Sequence, residues 1–190
     1  MKMNYNKIKY WNNRKDPNNN DARSVSEKHI SWVTNHIDEK DLNILEYGPG
    51  VGRMIDSYKN KKISFYDISD VYKDRLIKKC EDLSVIVDEY VIDKSGNITT
   101  QFRDNQFDLV CVFEVLLHSP NDEIDDLMSE LSRIGKKVMV ITWYRDGEKI
   151  SNNHCFTRDY KNIINKNNFD LLVWDEKTFK DQVAFIYRNK

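Results

Sequence analysis

Residues 43–52 read Asn43-Ile44-Leu45-Glu46-Tyr47-Gly48-Pro49-Gly50-Val51-Gly52, a short apolar run that breaks into alternating glycines. A run of this length bounded by turn residues predicts a buried strand. The glycines allow a tight turn and a close ligand approach. The helix that follows such a turn offers unpaired backbone N–H groups, so the pattern points to a nucleotide-like ligand. We read Arg53 to Lys61 as that helix and Ile63-Ser64-Phe65-Tyr66-Asp67 as a second strand. Ser69 is then an N-cap, and Val71 to Cys80 a helix with Val71, Leu76 and Ile77 on one face.

Upstream, the first 23 residues carry Asn12-Asn13, Pro17 and Asn18-Asn19-Asn20 and show neither hydrophobic period. They read as an arm or loop anchored by Tyr5, Ile8, Tyr10 and Trp11. Ser24 and Glu27 fit a capping box for a helix over about 24–38 that carries Ile30, Val33 and Ile37 on one face. His29 and His36, seven apart on that helix, read as surface or packing residues. The domain expectation is therefore an N-terminal arm over 1–23 and one α/β domain over 24–190.

Downstream, residues 84–92 are strand-rich and end at the turn Ser95-Gly96-Asn97. Phe107-Asp-Leu-Val-Cys-Val-Phe113 is almost continuously apolar, as expected of a central parallel strand. Ser119-Pro120 suits an N-cap and first helical position for a helix carrying Ile124, Leu127, Met128, Leu131 and Ile134 and ending near Gly135. Lys137 to Trp143 is a strand, Thr157 caps a helix with Tyr160, Ile163 and Ile164, and Phe169–Trp174 and Gln182–Tyr187 are the last strands. The connection between these two is too short for a parallel crossover, which predicts an antiparallel hairpin. Strands alternating with helices imply an α/β fold around a mainly parallel sheet.

Composition narrows the function. With 190 residues the chain reads as one compact domain, and 30 Lys+Arg against 31 Asp+Glu gives no broad basic field for nucleic acid. Cys80, Cys111 and Cys155 form no CxxC pair, which reads as reduced thiols in a cytoplasmic protein. No stretch approaches the roughly 20 apolar residues of a membrane span, and no signal sequence is seen. Asp122, Glu123, Asp125 and Asp126 suit the first turn of a helix, and no metal site is expected.

The glycine spacing excludes two nucleotide motifs. A dinucleotide fingerprint G-x-G-x-x-G would need glycine where Arg53 stands, and a P-loop would need a Lys and a hydroxyl that are absent. The stretch instead resembles the class I S-adenosylmethionine-dependent methyltransferases. Their first motif, acidic-x-G-x-G-x-G, is matched from Glu46 to Gly52. An acidic residue, Asp67, ends the second strand, and Phe107-Asp108-Leu-Val-Cys-Val-Phe-Glu114-Val-Leu-Leu-His118 resembles their fourth motif. The resemblance covers about residues 43–187.

It implies a Rossmann-like seven-stranded mainly parallel sheet with helices on both faces and a C-terminal antiparallel β-hairpin, with S-adenosyl-L-methionine as cofactor. By carry-over, Gly48, Gly50 and Gly52, with Tyr47 in the same turn, cradle the methionine part. Glu46 lies near its amino group. Asp67 holds the ribose, Ile68 offers an adenine face, and Asp93, with Asp88 the alternative, touches the adenine amine. Glu114 and Val115 pass beneath the cofactor near the methyl. An N-terminal segment commonly folds over the cofactor in this family, so Tyr10 and Trp11 are candidates for a lid on the acceptor side, or for an anchor on the sheet edge. The family places substrate loops where 143–156 falls, which makes Tyr144, Arg145 and His154 acceptor-side candidates.

Methyl transfer from a sulfonium is an in-line displacement, for which the protein mainly holds donor and nucleophile about 3–3.5 Å apart. A hydroxyl acceptor must lose a proton, and His118 or His154 is the readiest base at neutral pH; His118 in a purely loop-holding role is the alternative. The expected function is methylation of oxygen or nitrogen on a small molecule or sugar. RNA or protein methylation, a non-catalytic donor-binding subunit and, third, a nicotinamide oxidoreductase are the competing readings.

Overall fold

The structure, a computed structural model, describes residues 6–13, 26–144 and 155–190. Contacts divide the chain into two compact units, whose described residues fall within 6–96 and within 97–190. The first holds α1 (Lys7–Asn12), α2 (Glu27–His36), β1 (Ile44–Tyr47), a 3-10 turn (Ile55–Tyr58), β2 (Lys62–Asp67), α3 (Lys73–Asp82) and β3 (Ile86–Ile92). The second holds β4 (Leu109–Phe113), a 3-10 turn (Leu116–His118), α4 (Ile124–Ile134), β5 (Val138–Trp143), α5 (Tyr160–Lys166), β6 (Asp170–Asp175) and β7 (Gln182–Arg188). The seven strands take the order β3-β2-β1-β4-β5-β7-β6. No helix among the described residues is long and apolar enough to cross a membrane.

In the first unit β1 pairs parallel to β2 with Ile44 opposite Ile63 and Tyr47 opposite Tyr66, and β2 pairs parallel to β3. Every residue of β1 is buried, including Glu46, which is what a parallel strand covered on both faces requires. The helix expected over 53–61 is instead a single 3-10 turn. Met54, Ile55, Ser57 and Tyr58 are buried there, and Asp56, Lys59 and Asn60 are exposed. The tighter turn brings Ile55 and Tyr58 to one side, and Asn60 at φ 61° leads the chain into β2.

The arm read as irregular contains α1. Asn6 caps it by accepting a hydrogen bond from the Lys9 N–H at 2.9 Å, but six residues are too few to hold a helix without tertiary support. That support is Gly96, where an added Cβ would lie 2.8 Å from Ile8 Cδ1. At α2 the capping box sits at Ser26 and His29, with Ser26 Oγ 2.8 Å from His29 Nδ1. The expected partner Ser24 lies outside the described residues. His36 closes the other end, its Nδ1 2.7 Å from the Trp32 carbonyl and its ring stacked on Trp32 at 4.1 Å. Both histidines are thus spent on packing.

In the second unit β4 pairs parallel to β5, and β7 pairs antiparallel to β5 and to β6, which confirms the C-terminal hairpin. The apolar face of α4 is buried as its spacing predicts, but the helix starts at Ile124 rather than at Pro120. Ser119 is extended, as a residue before proline prefers, and its carbonyl accepts from Arg158, which holds the chain out of the helix. Likewise α5 is capped by Asp159, whose Oδ1 accepts from the Asn162 N–H at 3.0 Å, and not by Thr157.

One buried carboxylate ties the loop before β4 to α4. Glu130 accepts from the Thr100 N–H and hydroxyl, both at 2.7 Å, and from Arg133, which also reaches Asp104 and the Phe102 carbonyl. Glu130→Ala strands the Thr100 N–H and removes the anchor of Arg133, and is expected to cost about 3 kcal/mol. Urea unfolding reads this, and a loss within the error of a surface substitution would refute it.

Candidate active site

The site is built from the glycine turn outward. Gly48, Gly50 and Gly52 all have positive φ, of 72°, 51° and 70°. Gly48 N–H donates to the Tyr66 carbonyl at 2.7 Å, so β1 stays paired up to the turn, and Gly52 N–H closes it on the Pro49 carbonyl at 2.9 Å. The two later glycines face different surroundings. A Cβ on Gly52 would sit 2.9 Å from both Ile55 Cγ1 and Leu76 Cδ1, whereas a Cβ on Gly50 would meet nothing within 4 Å. Gly52 therefore serves packing, and Gly50 leaves an open space beside bare backbone. The Lys79 ammonium braces the turn by donating to the Gly52 carbonyl at 2.8 Å and pairing with Asp56 at 3.2 Å.

Beneath this turn Glu46 is 2% exposed, and its Oε2 has no hydrogen-bond partner in the structure. Burial pushes its carboxyl up to about 8, against the opposing pull of the Tyr58 hydroxyl and of Arg53 and Lys79. Tyr47, the next residue, is buried with its ring stacked on Tyr66 at 4.8 Å.

At the end of β2 the Asp67 carboxylate accepts from the Gly50 N–H at 3.3 Å and from the Ser69 N–H at 3.0 Å. Burial raises it to about 6, with those two N–H groups pulling the other way. Half-buried Ile68 follows it. Asp93 lies just past β3, where its N–H donates to the Asp67 carbonyl at 2.9 Å and its Oδ2 accepts from the Tyr66 hydroxyl at 2.9 Å. Asp88 sits inside β3, paired with Lys62 on the surface at 2.8 Å. The fold thus brings Glu46, Asp67 and Asp93 to the same end of three neighbouring strands and leaves Asp88 out. Tyr10 and Trp11 are half-buried on α1, their rings edge to face at 5.1 Å.

In the second unit the chain leaves β4 through Glu114, which holds φ 59°, an uncommon backbone state for a residue with a side chain. Its N–H donates to the Ile141 carbonyl at 2.8 Å, and its Oε1 accepts from Gln182 Nε2 at 3.0 Å. Val115 begins the 3-10 turn that ends at His118, whose Nδ1 is 3.8 Å from Cys155 Sγ. Tyr144, just past β5, packs edge to face on Trp174 at 5.7 Å and donates its N–H to the Asp181 carbonyl. Arg145 and His154 lie outside the described residues. Among the described residues no group of His, Cys, Asp and Glu is arranged to hold a metal ion.

A family model described as a methyltransferase domain matches residues 45–139, from the strand before the glycine turn into β5. The chain belongs to the methyltransferase domain family. Its fold is that of the class I, S-adenosylmethionine-dependent methyltransferases. Solved structures share its fold at low identity. A Pyrococcus horikoshii OT3 protein is 15% identical with a TM-score of 0.70, over 93% of this chain and 94% of that one. The magnesium protoporphyrin IX methyltransferase of Synechocystis PCC 6803, crystallised with bound S-adenosylmethionine, is 14% identical with a TM-score of 0.62, over 85% and 76%. The [4+2]-cyclase SpnF is 14% identical with a TM-score of 0.69, over 90% and 84%. No curated protein matches the sequence.

The methyltransferase's own residues fit the donor. S-Adenosylmethionine carries an ammonium, which suits the unpartnered Glu46 oxygen, and the space beside Gly50 admits a ligand where any side chain would intrude. Asp67 keeps lone pairs beyond the two that take backbone N–H groups, enough for a diol. Asp67→Ala is expected to weaken donor binding at least tenfold, since it removes charge-assisted acceptors and frees the Gly50 N–H. Calorimetry measures it, and an unchanged affinity would remove Asp67 from the site. Sequence reasoning missed Gln182, Arg158, Lys79 and Tyr66. Only Tyr66 carried a signal, through its place beside Asp67.

Proposed function

We propose that the protein transfers a methyl group from S-adenosylmethionine to oxygen or nitrogen of a small-molecule or sugar acceptor. The observation that carries the donor half is the orphaned, buried Glu46 oxygen beneath an open Gly50. When bound, the donor supplies an electrophilic methyl on a sulfonium. Gly48, Gly50 and Gly52 cradle its methionine part with Tyr47 as the stacked floor, Glu46 meets the ammonium, Asp67 the ribose hydroxyls, Ile68 and Asp93 the adenine. Glu114 and Val115, at the end of β4, line the methyl's side. His118 takes the proton that a hydroxyl acceptor loses as its new bond to carbon forms, with His154 as a second base. Tyr10, Trp11, Tyr144 and Arg145 contact the acceptor.

A compact acceptor is supported by the balanced charge, which offers no broad field to a polyanion, and by fold neighbours named for a porphyrin methyltransferase and for an O-methyltransferase family protein of Burkholderia thailandensis. The cyclase SpnF favours a second reading, a domain that binds the donor without transferring its methyl, because the same fold there bears another activity. Incubation with methyl-labelled donor and a host extract decides between them. Label in the low-molecular-weight fraction is the expected result. Label in RNA or protein overturns the acceptor class, and tight donor binding with no labelled product selects the second reading.

A further inference from the structure

Within the 3-10 turn Leu116–His118 the Leu116 carbonyl accepts the Ser119 N–H at 3.1 Å, which leaves its second lone pair and the Leu117 carbonyl to be met from outside the turn. A segment some 40 residues further on does so. Phe156 N–H donates to the Leu117 carbonyl at 2.7 Å, and Arg158 Nη1 to the Leu116 carbonyl at 2.7 Å. The other terminal nitrogen of Arg158 donates to the Ser119 carbonyl and its Nε to Asn121 Oδ1 at 3.1 Å. Carbonyls on both sides of His118 are therefore held, and Cys155 Sγ stands 3.8 Å from its Nδ1.

Arg158 is 9% exposed, and no acidic side chain pairs with it among the described residues. Its charge is felt by Asp125, whose carboxyl it helps to lower, but its hydrogen bonds go to carbonyl and amide oxygens, which an apolar filler of the same length would leave unmet. What a filler lacks is the planar fork that fixes three acceptors at once, and a lysine lacks it too.

We propose that Arg158 is a positioning residue of the acceptor side, fixing the turn 116–121 so that the His118 imidazole holds one orientation. The inference rests on the proposed role of His118 but is read separately from it. Phe156, whose ring lies 5.4 Å from the guanidinium carbon, completes the clamp.

The test uses full-length protein with 13C-labelled histidine and two variants, Arg158→Lys and the milder Asn121→Leu, which removes one anchor and spares the backbone carbonyls. In Arg158→Lys the His118 ring signal, assigned with His118→Gln, is expected to shift or broaden while those of His29 and His36 stay in place. Donor affinity is expected to stay within about threefold and turnover of the labelled acceptor to fall at least tenfold at little-changed KM, since small misplacements of a reacting group cost this much. Asn121→Leu should move the same signal less, and it decides the matter should Arg158→Lys fail to fold. A His118 signal unmoved in the folded variant overturns the proposal, as does donor affinity falling in step with turnover. The ring signal is readable even where no methyl transfer is found, so failure of the positioning role and failure of the methyltransferase reading are told apart.

Discussion

Glu46→Gln is expected to weaken S-adenosylmethionine binding at least tenfold at pH 8 while making the protein more stable at that pH. Burial holds the Glu46 carboxyl at about 8, against 4.5 for an ordinary glutamate. Between those two values the folded chain keeps a proton that the unfolded chain has lost, so this group's contribution to stability falls as pH rises, by about 1.4 kcal/mol per pH unit. Glutamine has no such proton. The stability of Glu46→Gln relative to wild type should therefore climb from pH 6 to pH 8 and level off above. Asp67, raised to about 6, acts in the same direction but lower, between its ordinary 3.8 and about 6, which leaves the upper window to Glu46.

Binding has the opposite preference. An ammonium stabilises the ionised carboxylate, so donor binding near pH 7 should expel a proton from Glu46, and affinity should rise with pH up to about 8, where an α-amino group itself begins to lose charge. Calorimetry in two buffers of different ionisation enthalpy counts that proton. Wild type should release it and Glu46→Gln should not. Equal proton release in both, or an unaltered donor affinity, would dismiss Glu46 as the ammonium's partner.

The two glycines of the turn are expected to separate folding from binding. Gly52→Ala places a methyl 2.9 Å from two buried side chains, Ile55 and Leu76, at φ +70°. The left-handed backbone costs about 1–2 kcal/mol and overpacking a further 1–3, so a loss of about 3 kcal/mol is expected in urea unfolding. Gly50→Ala carries the backbone cost alone, about 1 kcal/mol, because its Cβ enters open space. The proposed function puts the donor in that space, so Gly50→Ala should keep the fold and lose at least tenfold in donor affinity. Equal destabilisation by the two substitutions, or normal donor binding by folded Gly50→Ala, would contradict the division of labour.

The cradle was legible because its signals are local. An apolar run into glycines, an acidic residue at each strand end and a second apolar run at Phe107 are readable within a few residues, and β1, β2 and β4 lie where that reading puts them. Helix starts were less legible. Ser119-Pro120 and Thr157 look like caps, but Ser119 is extended with its carbonyl taken by Arg158, and at α5 the Asp159 side chain, two residues beyond Thr157, takes the capping N–H. The arm's short helix was hidden for a related reason, since six residues become helical only when Ile8 finds Gly96. The acceptor side was barely legible: Gln182 reaches Glu114 across 68 residues, which no spacing rule connects.

Alone, the chain determines that strands and helices alternate, that the turn after β1 has no side chains at its three glycines, and which end of the sheet gathers the carboxylates. These follow from hydrophobic period and backbone freedom, properties each residue carries wherever it is placed. Tertiary structure decides that burial raises the Glu46 carboxyl, that Gly50 faces space while Gly52 faces Ile55 and Leu76, and that an arginine 40 residues on binds the carbonyls of the His118 turn. Ionisation, free volume and carbonyl satisfaction depend on which distant atoms displace water from a group, and only the folded chain brings those atoms there.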